Sequence, residues 1–572
     1  MKKILILVLL FAGAAGAVLY FSRSTSPVES EYYADYLPVE TLATVSLIDL
    51  KGLTDSFPAS SLGRFLAKPT VHGIMTELGA APEDIDSYDE MYDGLAGVMT
   101  NPAFRQVFGD DAVLAVLSPD PARLRTEPEQ EVQHSLLVFG TSSVSGPLDS
   151  FARLVMSKSV TKETVEGLNL TRIQLDENEV IYGYADGSVL VLAYAPDSIA
   201  QAIKQKQAGG GLQESAFFAA AKKFWSGSAE GREYAHTYVN IAQIRTLFAA
   251  SEEQKARDAA NFLQGFKGAG SVIVDQQGEL NITTRMEYDF ASLNELIRHQ
   301  YQSISKENLS LDLLTPQTLV YYWASTLDKE FVKGLLSATD EKQYKQAEAR
   351  VQKELGLSLD EIVAAVGPQS GVVVNEIVNT GLFPLPKAIF FLQIRDHKVA
   401  QQVLDNVRSK IAERGFAAEQ SQEVNGHTIY FWSVLPGEAT QPAMVLTDNM
   451  LYIANGKSSL EALVAGDRSQ AIVPADMAAN LGPELVTMIE SSNYNTFIMS
   501  PARLATEVKD AADWLSGMMA ATKGVSAEKL KQEILTLMHS VDIVTATSDI
   551  QKDHAVSALV FKQAASVVQD KK

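Results

Sequence analysis

The residues most able to carry chemistry in this sequence, its histidines, stand apart from one another. No two lie closer than fifteen residues, and none forms the i, i+4 pair beside a glutamate that a zinc-protease helix needs. Isolated histidines are typical of surfaces and strand edges. We therefore predict no histidine-based catalytic or metal site. The eight histidines are His72, His134, His236, His299, His397, His427, His539 and His554.

Serine nucleophiles are no better supported by the sequence. The pattern Ser-x-x-Lys, in which a lysine one helical turn later activates the serine, occurs at Ser159 to Lys162 and at Ser303 to Lys306. Its companion Ser-Asp-Asn and Lys-Thr-Gly elements are absent, as are the nucleophile elbow and the glycine-rich loops that bind phosphates. We therefore expect no catalytic residue, no cofactor-binding residue and no cofactor.

A dense acidic cluster lies between residues 83 and 93, and carboxylates are ligands for hard cations such as calcium. The spacing does not fit the twelve-residue calcium loop, because Tyr88 stands where the third ligand belongs and no glycine follows. We predict a solvated helix and no metal site. The carboxylates are Glu83, Asp84, Asp86, Asp89, Glu90 and Asp93, and the apolar series at helical spacing is Ile85, Tyr88, Met91, Tyr92 and Leu95.

Aromatic residues are contiguous at 321–323, 390–391 and 430–432. Neighbours on a strand point to opposite faces, so burial on one face cannot hide all of Tyr321, Tyr322 and Trp323. Such strands indicate either helices on both faces of a sheet or an apolar groove for lipid or peptide. We favour burial in a core.

Composition narrows the class of protein that must position these residues. The chain has 572 residues, 46% hydrophobic and 21% charged, which are globular proportions. Single cores stop growing near about 250 to 300 residues, so we expect at least two domains. A net charge of −22 argues against a nucleic-acid-binding surface. The absence of cysteine excludes disulfides, thiolate nucleophiles and cysteine-ligated metals.

The first residues have the pattern of a membrane anchor. Two lysines precede an apolar stretch, Ile4 to Phe21, which as a helix is about 27 Å long, close to the hydrocarbon thickness of a bilayer. Basic residues before the stretch and acidic residues after it place the N-terminus in the cytoplasm and the bulk of the chain across the membrane. A cleaved signal peptide is the alternative, because Ala15-Gly16-Ala17 has the small-x-small form that signal peptidase accepts.

Most of the remaining chain contains two copies of one pattern of strands, tight turns and short helices. Such internal similarity predicts a duplicated structural unit. The segments recur in order at 41–49, 112–117, 135–140, 165–167, 186–187, 198–203, 237–240 and 271–289, and again at 318–325, 371–377, 388–394, 424–426, 448–449, 459–464, 496–499 and 542–561.

The predicted fold class is α+β, because strands of period two joined by tight turns must be antiparallel, and helical segments of 10 to 15 residues alternate with them. Each copy should form an antiparallel sheet packed on one face by helices. The expected divisions are a membrane anchor or signal at 1–24, a polar tether at 25–36, a first repeat at 37–292, a connector at 293–313, a second repeat at 314–564 and a polar tail at 565–572.

With the apolar N-terminus, the Pro-x-x-Thr-Leu strand start at Pro38 to Leu42 and the paired copies, the chain resembles an uncharacterised bacterial family of membrane-anchored envelope proteins. That family is known only as a domain of unknown function. The resemblance covers most of the region after the anchor and rests on the order of segments rather than on a signature motif. It implies no catalytic residues.

These observations favour a non-catalytic, extracytoplasmic protein of the bacterial envelope that binds partners or supports assembly, since neither copy carries a catalytic constellation. The expected partners are the inner membrane, through the N-terminal helix, and another envelope protein. The alternative is a periplasmic carrier or chaperone for lipids or apolar polypeptides, which needs an apolar pocket of roughly 300 Å³ or more. A hydrolase with an unfamiliar site would need converging serine, histidine or carboxylate side chains.

Overall fold

A computed structural model describes most of the chain after the predicted anchor. The anchor itself, residues 25–30 of the tether and the tail lie outside the described residues. So does the segment with Leu148, Phe151, Leu154 and Val155, whose spacing predicts a helix. The described residues are 31–141, 160–174, 180–227, 231–276, 279–305, 307–327, 334, 341–379, 384–415, 417–434, 437, 440–466 and 472–564.

The chain forms two compact units. The first contains the described residues up to Leu293 together with 525–537, and the second contains 294–524 together with the residues from Met538 onward. Both combine helices with antiparallel sheet, so the α+β prediction is confirmed.

Ten described strands of the first unit form one antiparallel sheet. Their order across the sheet is β4-β5-β6-β7-β3-β2-β1-β8-β9-β10. They are β1 Ala43–Ile48, β2 Asp111–Val116, β3 Leu136–Thr141, β4 Val160–Val165, β5 Leu168–Gln174, β6 Val180–Asp186, β7 Val189–Ala193, β8 Arg232–Val239, β9 Phe266–Gln276 and β10 Glu279–Tyr288.

The second unit also has ten described strands, and they follow the same order. Across the sheet they run β14-β15-β16-β17-β13-β12-β11-β18-β19-β20. They are β11 Val320–Ser325, β12 Val366–Asn379, β13 Pro384–Ile394, β14 Glu419–Val424, β15 His427–Trp432, β16 Ala443–Leu446, β17 Met450–Ala454, β18 Asn495–Met499, β19 Val541–Ile550 and β20 His554–Gln563.

Helices connect these strands. The described α-helices of the first unit are α1 Leu50–Ser56, α2 Ser61–Phe65, α3 Lys68–Glu77, α4 Pro82–Thr100, α5 Pro102–Phe108, α6 Pro121–Thr126, α7 Pro128–His134, α8 Pro196–Ala208, α9 Ala216–Gly227, α10 Ile241–Ala249 and α11 Gln254–Phe262. Those that follow in the chain are α12 Glu295–Ser303, α13 Glu341–Leu355, α14 Leu359–Ala365, α15 His397–Arg414, α16 Lys457–Ala465, α17 Ala475–Leu481, α18 Pro483–Ser491, α19 Pro501–Glu507, α20 Lys509–Lys523 and α21 Glu528–His539. Short 3-10 helices lie at Tyr32–Tyr36, Phe57–Ala59, Leu212–Glu214, Phe290–Ser292 and Leu311–Leu313.

Equivalent hairpins in the two units use the same turn chemistry. Glu166 and Gly167 join β4 to β5 with φ of 51° and 85°, and Asn425 and Gly426 join β14 to β15 with φ of 48° and 80°. Positive φ at both central residues gives the two-residue turn whose twist matches antiparallel strands. The sequence comparison matched 165–167 and 424–426 as the starts of equivalent strands, and it predicted tight turns at 186–187 and 448–449, where the structure joins β6 to β7 and β16 to β17.

The segment before each first strand is part of the core. Tyr33 and Tyr36 are at most 1% exposed, and Leu311 and Leu313 are at most 3% exposed. Residues 32–36 therefore do not form the last part of a polar tether, because their aromatic rings pack beneath the sheet of the first unit. We call residues 32–37 and 309–314 the leading segments.

Each leading segment contacts the first strand of its own unit at a matching position, but the large and the small side chain of the pair are exchanged between the units. In the first unit the Tyr33 hydroxyl lies 3.5 Å from Oγ1 of Thr44, eleven residues later. In the second unit Oγ of Ser310 lies 2.8 Å from the hydroxyl of Tyr321, also eleven residues later. Tyrosine is thus on the leading segment in one unit and on the strand in the other. Either arrangement fills the space beneath the first strand.

The pairing of β8 and β18 corrects one detail of the sequence comparison. Tyr238 pairs with Thr44, and Ile498 pairs with Tyr321, and both Tyr238 and Ile498 are fully buried. The alignment of 237–240 with 496–499 matched Tyr238 to Phe497 instead, which is one residue out of register. A shift of one residue on a strand exchanges its two faces. The similarity of the two aromatic side chains favoured the wrong register.

The helix that begins at Glu528 completes the first unit from far along the sequence. The Glu77 carboxylate accepts hydrogen bonds from the backbone N–H groups of Glu528 (3.0 Å) and Lys529 (2.7 Å), and also from Ser526. These contacts satisfy N–H groups that have no partner within the helix and place a negative charge at its positive end. The Ser526 hydrogen bond and these N–H groups lower the pKa of Glu77.

Candidate functional site

The structure brings no catalytic set together from the predicted candidates. Ser159 and Lys306 lie outside the described residues. Among the described residues, no three histidine, aspartate or glutamate side chains are grouped so that they could hold a metal ion. Two of the histidines each contact one carboxylate: Nδ1 of His72 lies 3.1 Å from Asp89, and Nδ1 of His236 lies 2.7 Å from Glu233.

The acidic cluster lies on a solvent-facing helix, as predicted. Residues 83–93 belong to α4, where Lys68 lies 2.7 Å from Asp93 and 3.7 Å from Asp89. Exposed ion pairs of this type contribute little to stability. Lys68 thus pairs with two of the six carboxylates, and Glu83, Asp84, Asp86 and Glu90 are exposed to solvent.

The aromatic segments identify the most unusual surface. Tyr321 and Trp323 are fully buried, but Tyr322 between them is 43% exposed, and Phe390 is 56% exposed beside buried Phe391. The expectation that these side chains are all buried in a core was therefore wrong for Tyr322 and Phe390. One face of the sheet packs on the core, and the strand period of two turns the intervening residues away from it.

These exposed side chains belong to a continuous apolar row. Directly paired residues of adjacent strands share a face. Tyr322, Phe390 and Ile453 remain substantially exposed, and the other three members are half-buried. We call these residues the outer row. Across β18, β11, β12, β13, β17 and β16 its members are Phe497, Tyr322, Val372, Phe390, Ile453 and Met444.

A second apolar row lies beside part of the outer row. Leu392 pairs with Leu451, which pairs with Leu446, two residues along from Phe390, Ile453 and Met444 on the same strands. All three leucines are half-buried. The apolar surface is therefore two residues deep at β13, β17 and β16. Contiguous apolar surface of this kind marks interaction sites more often than single exposed residues do.

An arginine lies at one end of this apolar surface. Tyr430 on β15 pairs with Met444, and the guanidinium of Arg408 on α15 lies 3.5 Å from the centre of the Tyr430 ring. Glu419 accepts two hydrogen bonds from Arg408, at 3.0 and 2.6 Å, which raise the pKa of the guanidinium. A bidentate pair fixes the orientation of the arginine. Its charge is thus neutralised at the edge of the apolar surface.

The matching row of the first unit is largely buried. Val45, Leu114, Val138 and Leu192 are paired across β1, β2, β3 and β7, as Tyr322, Val372, Phe390 and Ile453 are paired in the second unit. Leu114 is 6% exposed and Leu192 is 8% exposed, while Val45 and Val138 are half-buried, so no member is as exposed as Tyr322, Phe390 or Ile453. An exposed outer row is therefore a property of the second unit.

A cleft in the first unit is too small for a lipid. Phe217 and Ala221 of α9, Gly268 and Gly270 of β9 and Arg285 of β10 contribute to its lining. Its cavity volume is about 10 Å³, enough for about one water molecule. This cleft does not supply the pocket that a lipid carrier needs.

The sequence contained a signal for the outer row that was interpreted as burial. Apolar residues occupy both alternating positions of 320–324, 388–392 and 450–454. That pattern is typical of strands covered on both faces. Sequence alone does not distinguish a second covered face from an exposed apolar one.

Comparisons with known proteins add a family and little else. No curated protein matches the chain. Crystal form I of TP0453 matches with 7% identity and a TM-score of 0.24, covering 48% of this chain and 84% of that one. Crystal form III gives 9% identity, a TM-score of 0.23 and the same coverage. Similarity at this level supports no conclusion about fold or function.

Two further findings concern the predicted anchor and the predicted family. Across the residues described by the structure, no helix is long and apolar enough to cross a membrane, and the predicted anchor at 1–24 falls outside them. A family model described as a protein of unknown function (DUF3352) matches residues 108–538. The expectation of an uncharacterised family is thereby confirmed, and the chain belongs to this family of proteins of unknown function.

Proposed function

We propose that this chain is a non-catalytic, membrane-anchored binding protein of the bacterial envelope, and that it holds an envelope protein partner on the outer row of its second unit. The observation that carries the proposal is the exposure of Tyr322, Phe390 and Ile453 in one paired row. Large apolar side chains are costly to leave in water, so a surface that retains them together is suited to contact.

The chemistry of the surface favours a protein with a matching apolar strip. The outer row is a line of side chains on a sheet, with a neutralised arginine at one end. Interfaces between proteins have such apolar centres, with aromatic and methionine side chains enriched. A lipid carrier instead encloses its ligand in a pocket. The proposed partner is therefore a polypeptide.

Duplication is part of the same proposal. The shared strand order, the matched turns and the exchanged sizes at Tyr33 and Thr44 and at Ser310 and Tyr321 support descent from one unit. One copy could then keep its outer face covered while the other acquired an exposed one. Location outside the cytoplasm rests on the apolar N-terminus and its flanking charges.

Site-specific photo-crosslinking in native membranes tests the proposal. A photoreactive phenylalanine analogue replaces Phe390 in the full-length chain, and in a matched control it replaces Gln402, which is exposed on α15. We expect a discrete protein adduct from position 390 that position 402 does not give and that Ile453→Ser removes. Identical adducts from both positions would refute the proposal. Lipid adducts alone at position 390 would favour the carrier.

A further inference from the structure

The helical segments that follow β8 and β18, residues 241–262 and 501–524, carry exposed apolar side chains in both units. In the second unit, Trp514, Leu515 and Met518 of α20 are 47%, 48% and 43% exposed. In the first unit, Phe248 of α10 and Phe262 of α11 are 40% and 47% exposed. Equivalent places in the chain thus present large apolar groups to solvent in each unit.

The three residues of α20 occupy one flank of the helix. Positions i, i+1 and i+4 of an α-helix project within an arc of about 100°. The carboxylates Asp510 and Asp513 and the exposed Ala520 lie outside that arc. The helix is therefore amphipathic toward solvent, and tryptophan on such a flank is typical of helices that lie in a membrane interface.

The charge of these two segments bears on what they can contact. Residues 241–262 carry three basic residues and three acidic ones, and residues 501–524 also carry three of each. Both segments are thus neutral in a chain of net charge −22. Bacterial membranes present anionic headgroups that repel acidic surfaces. Because these two helical segments are neutral, they can approach a bilayer without that repulsion.

We propose that α20 lies on the surface of a lipid bilayer, with Trp514, Leu515 and Met518 in the interfacial layer. This contact is separate from the outer row. It goes beyond the proposed function, because a bilayer rather than a protein is the partner.

The tryptophan content of the chain supplies a direct test. Of the four tryptophans, Trp225, Trp323 and Trp432 are at most 3% exposed, and only Trp514 is exposed. The full-length chain is reconstituted in phosphatidylcholine vesicles with or without brominated acyl chains, and its emission is compared. We expect bromination to remove at most roughly a quarter of the emission, the share of a single interfacial tryptophan. Trp514→Phe should abolish this quenching.

Two charge variants of α20 separate membrane contact from a general effect of charge. Met518→Glu places a carboxylate on the apolar flank and should expose Trp514 to acrylamide in the aqueous phase. Ala520→Glu adds the same charge to the same helix outside that flank and should leave the lipid quenching unchanged. Near-ultraviolet circular dichroism from the three buried tryptophans checks that both variants fold.

The wild-type chain alone can overturn the proposal. Trp514 that stays accessible to acrylamide on vesicles, with no quenching by brominated lipid, would show that α20 does not touch the bilayer. Trp514 protected from both quenchers would show that the flank packs against protein instead. Either result would refute membrane contact without affecting the crosslinking test of the outer row.

Discussion

The two units share a strand order but differ in the sheet face turned away from the core. At matching positions the first unit has Val138 and Leu192, while the second has Phe390 and Ile453. Leu192 is 8% exposed and Ile453 is 38% exposed. Phe390, which is larger than Val138, is therefore the more exposed of that pair, and Ile453 is more exposed than its isomer Leu192. The inner faces of the two units fill matching space with exchanged side-chain sizes, whereas their outer faces differ in exposure.

The exchange of Tyr33 and Thr44 for Ser310 and Tyr321 is the strongest test of equivalence between the units. Tyr33→Ser should lower the free energy of unfolding by about 3–5 kcal/mol, because it leaves a cavity beneath β1. Thr44→Tyr alone should cost about 1–3 kcal/mol by overpacking. The double variant reproduces the second unit's arrangement and should recover at least about 1 kcal/mol.

Urea unfolding followed by hydrogen exchange in peptides from β1 to β3 measures these free energies unit by unit. Strictly additive costs in the double variant would show that the two leading segments are not equivalent. Tyr33→Phe is the matched control, since it removes only the hydroxyl and should cost about 1 kcal/mol.

The outer faces should respond differently to the same truncation. Leu192→Ala in the first unit should cost about 2–4 kcal/mol, because the side chain is buried. Ile453→Ala at the matching position should cost less than about 1 kcal/mol, because much of its surface is already in water. The same unfolding measurement compares the two variants. Equal costs would mean that the outer row is covered in solution.

Gly371 and Trp323 form a second pair in which large and small side chains are exchanged between the two units. It pairs with Trp323, whereas Val113 pairs with Ser46 at the matching place in the first unit. A Cβ at Gly371 would lie 2.3 Å from Cζ of Phe391 and 2.1 Å from the carbonyl oxygen of Tyr322. Gly371→Val should therefore cost about 1–3 kcal/mol in urea unfolding.

Gly94→Ala is the control for this experiment. It lies in the interior of α4 with nothing within 4 Å of an added Cβ. Replacing a helical glycine by alanine should stabilise by roughly 0.5–1 kcal/mol. A Gly371→Val variant as stable as wild type would remove the argument that Phe391 and the carbonyl group of Tyr322 leave no room for a side chain at position 371.

Asp111 should give the smallest effect, and its sign depends on pH. It is almost fully buried on β2, where the second unit has the neutral Gln369, and burial raises its pKa. A raised pKa in the folded state means that stability falls as pH rises through the window between the unfolded and folded values. Asp111→Asn should therefore stabilise the first unit at pH 7 and lose this advantage below about pH 4.

Thermal unfolding at pH 7 and at pH 3 provides the comparison for Asp111→Asn. The variant keeps an oxygen able to accept the 2.6 Å hydrogen bond from Thr141, so the contact itself is retained. Destabilisation at pH 7 would show that the carboxylate contributes more through its contact with Thr141 than it loses through burial.

Local patterns predicted much of this architecture. Strand periodicity and the Asp186-Gly187 and Asp448-Asn449 pairs were sufficient to predict the antiparallel hairpins β6–β7 and β16–β17, because turn geometry depends on neighbouring residues. The burial of Tyr33 was missed because its partners lie across the sheet. The exposure of Phe390 was missed because alternation does not reveal whether a second face is covered.

The cap that Glu77 forms on α21 also determines when the first unit can be completed. Residues 525–537 follow Leu293 by more than two hundred positions, yet they belong to the same unit as Glu77. A ribosome adding about 5–20 residues per second needs on the order of tens of seconds to cross that interval. Through that time the surface that receives α21 has no helix to cover it. The unit that is synthesised first is therefore completed only after almost the whole chain has been made.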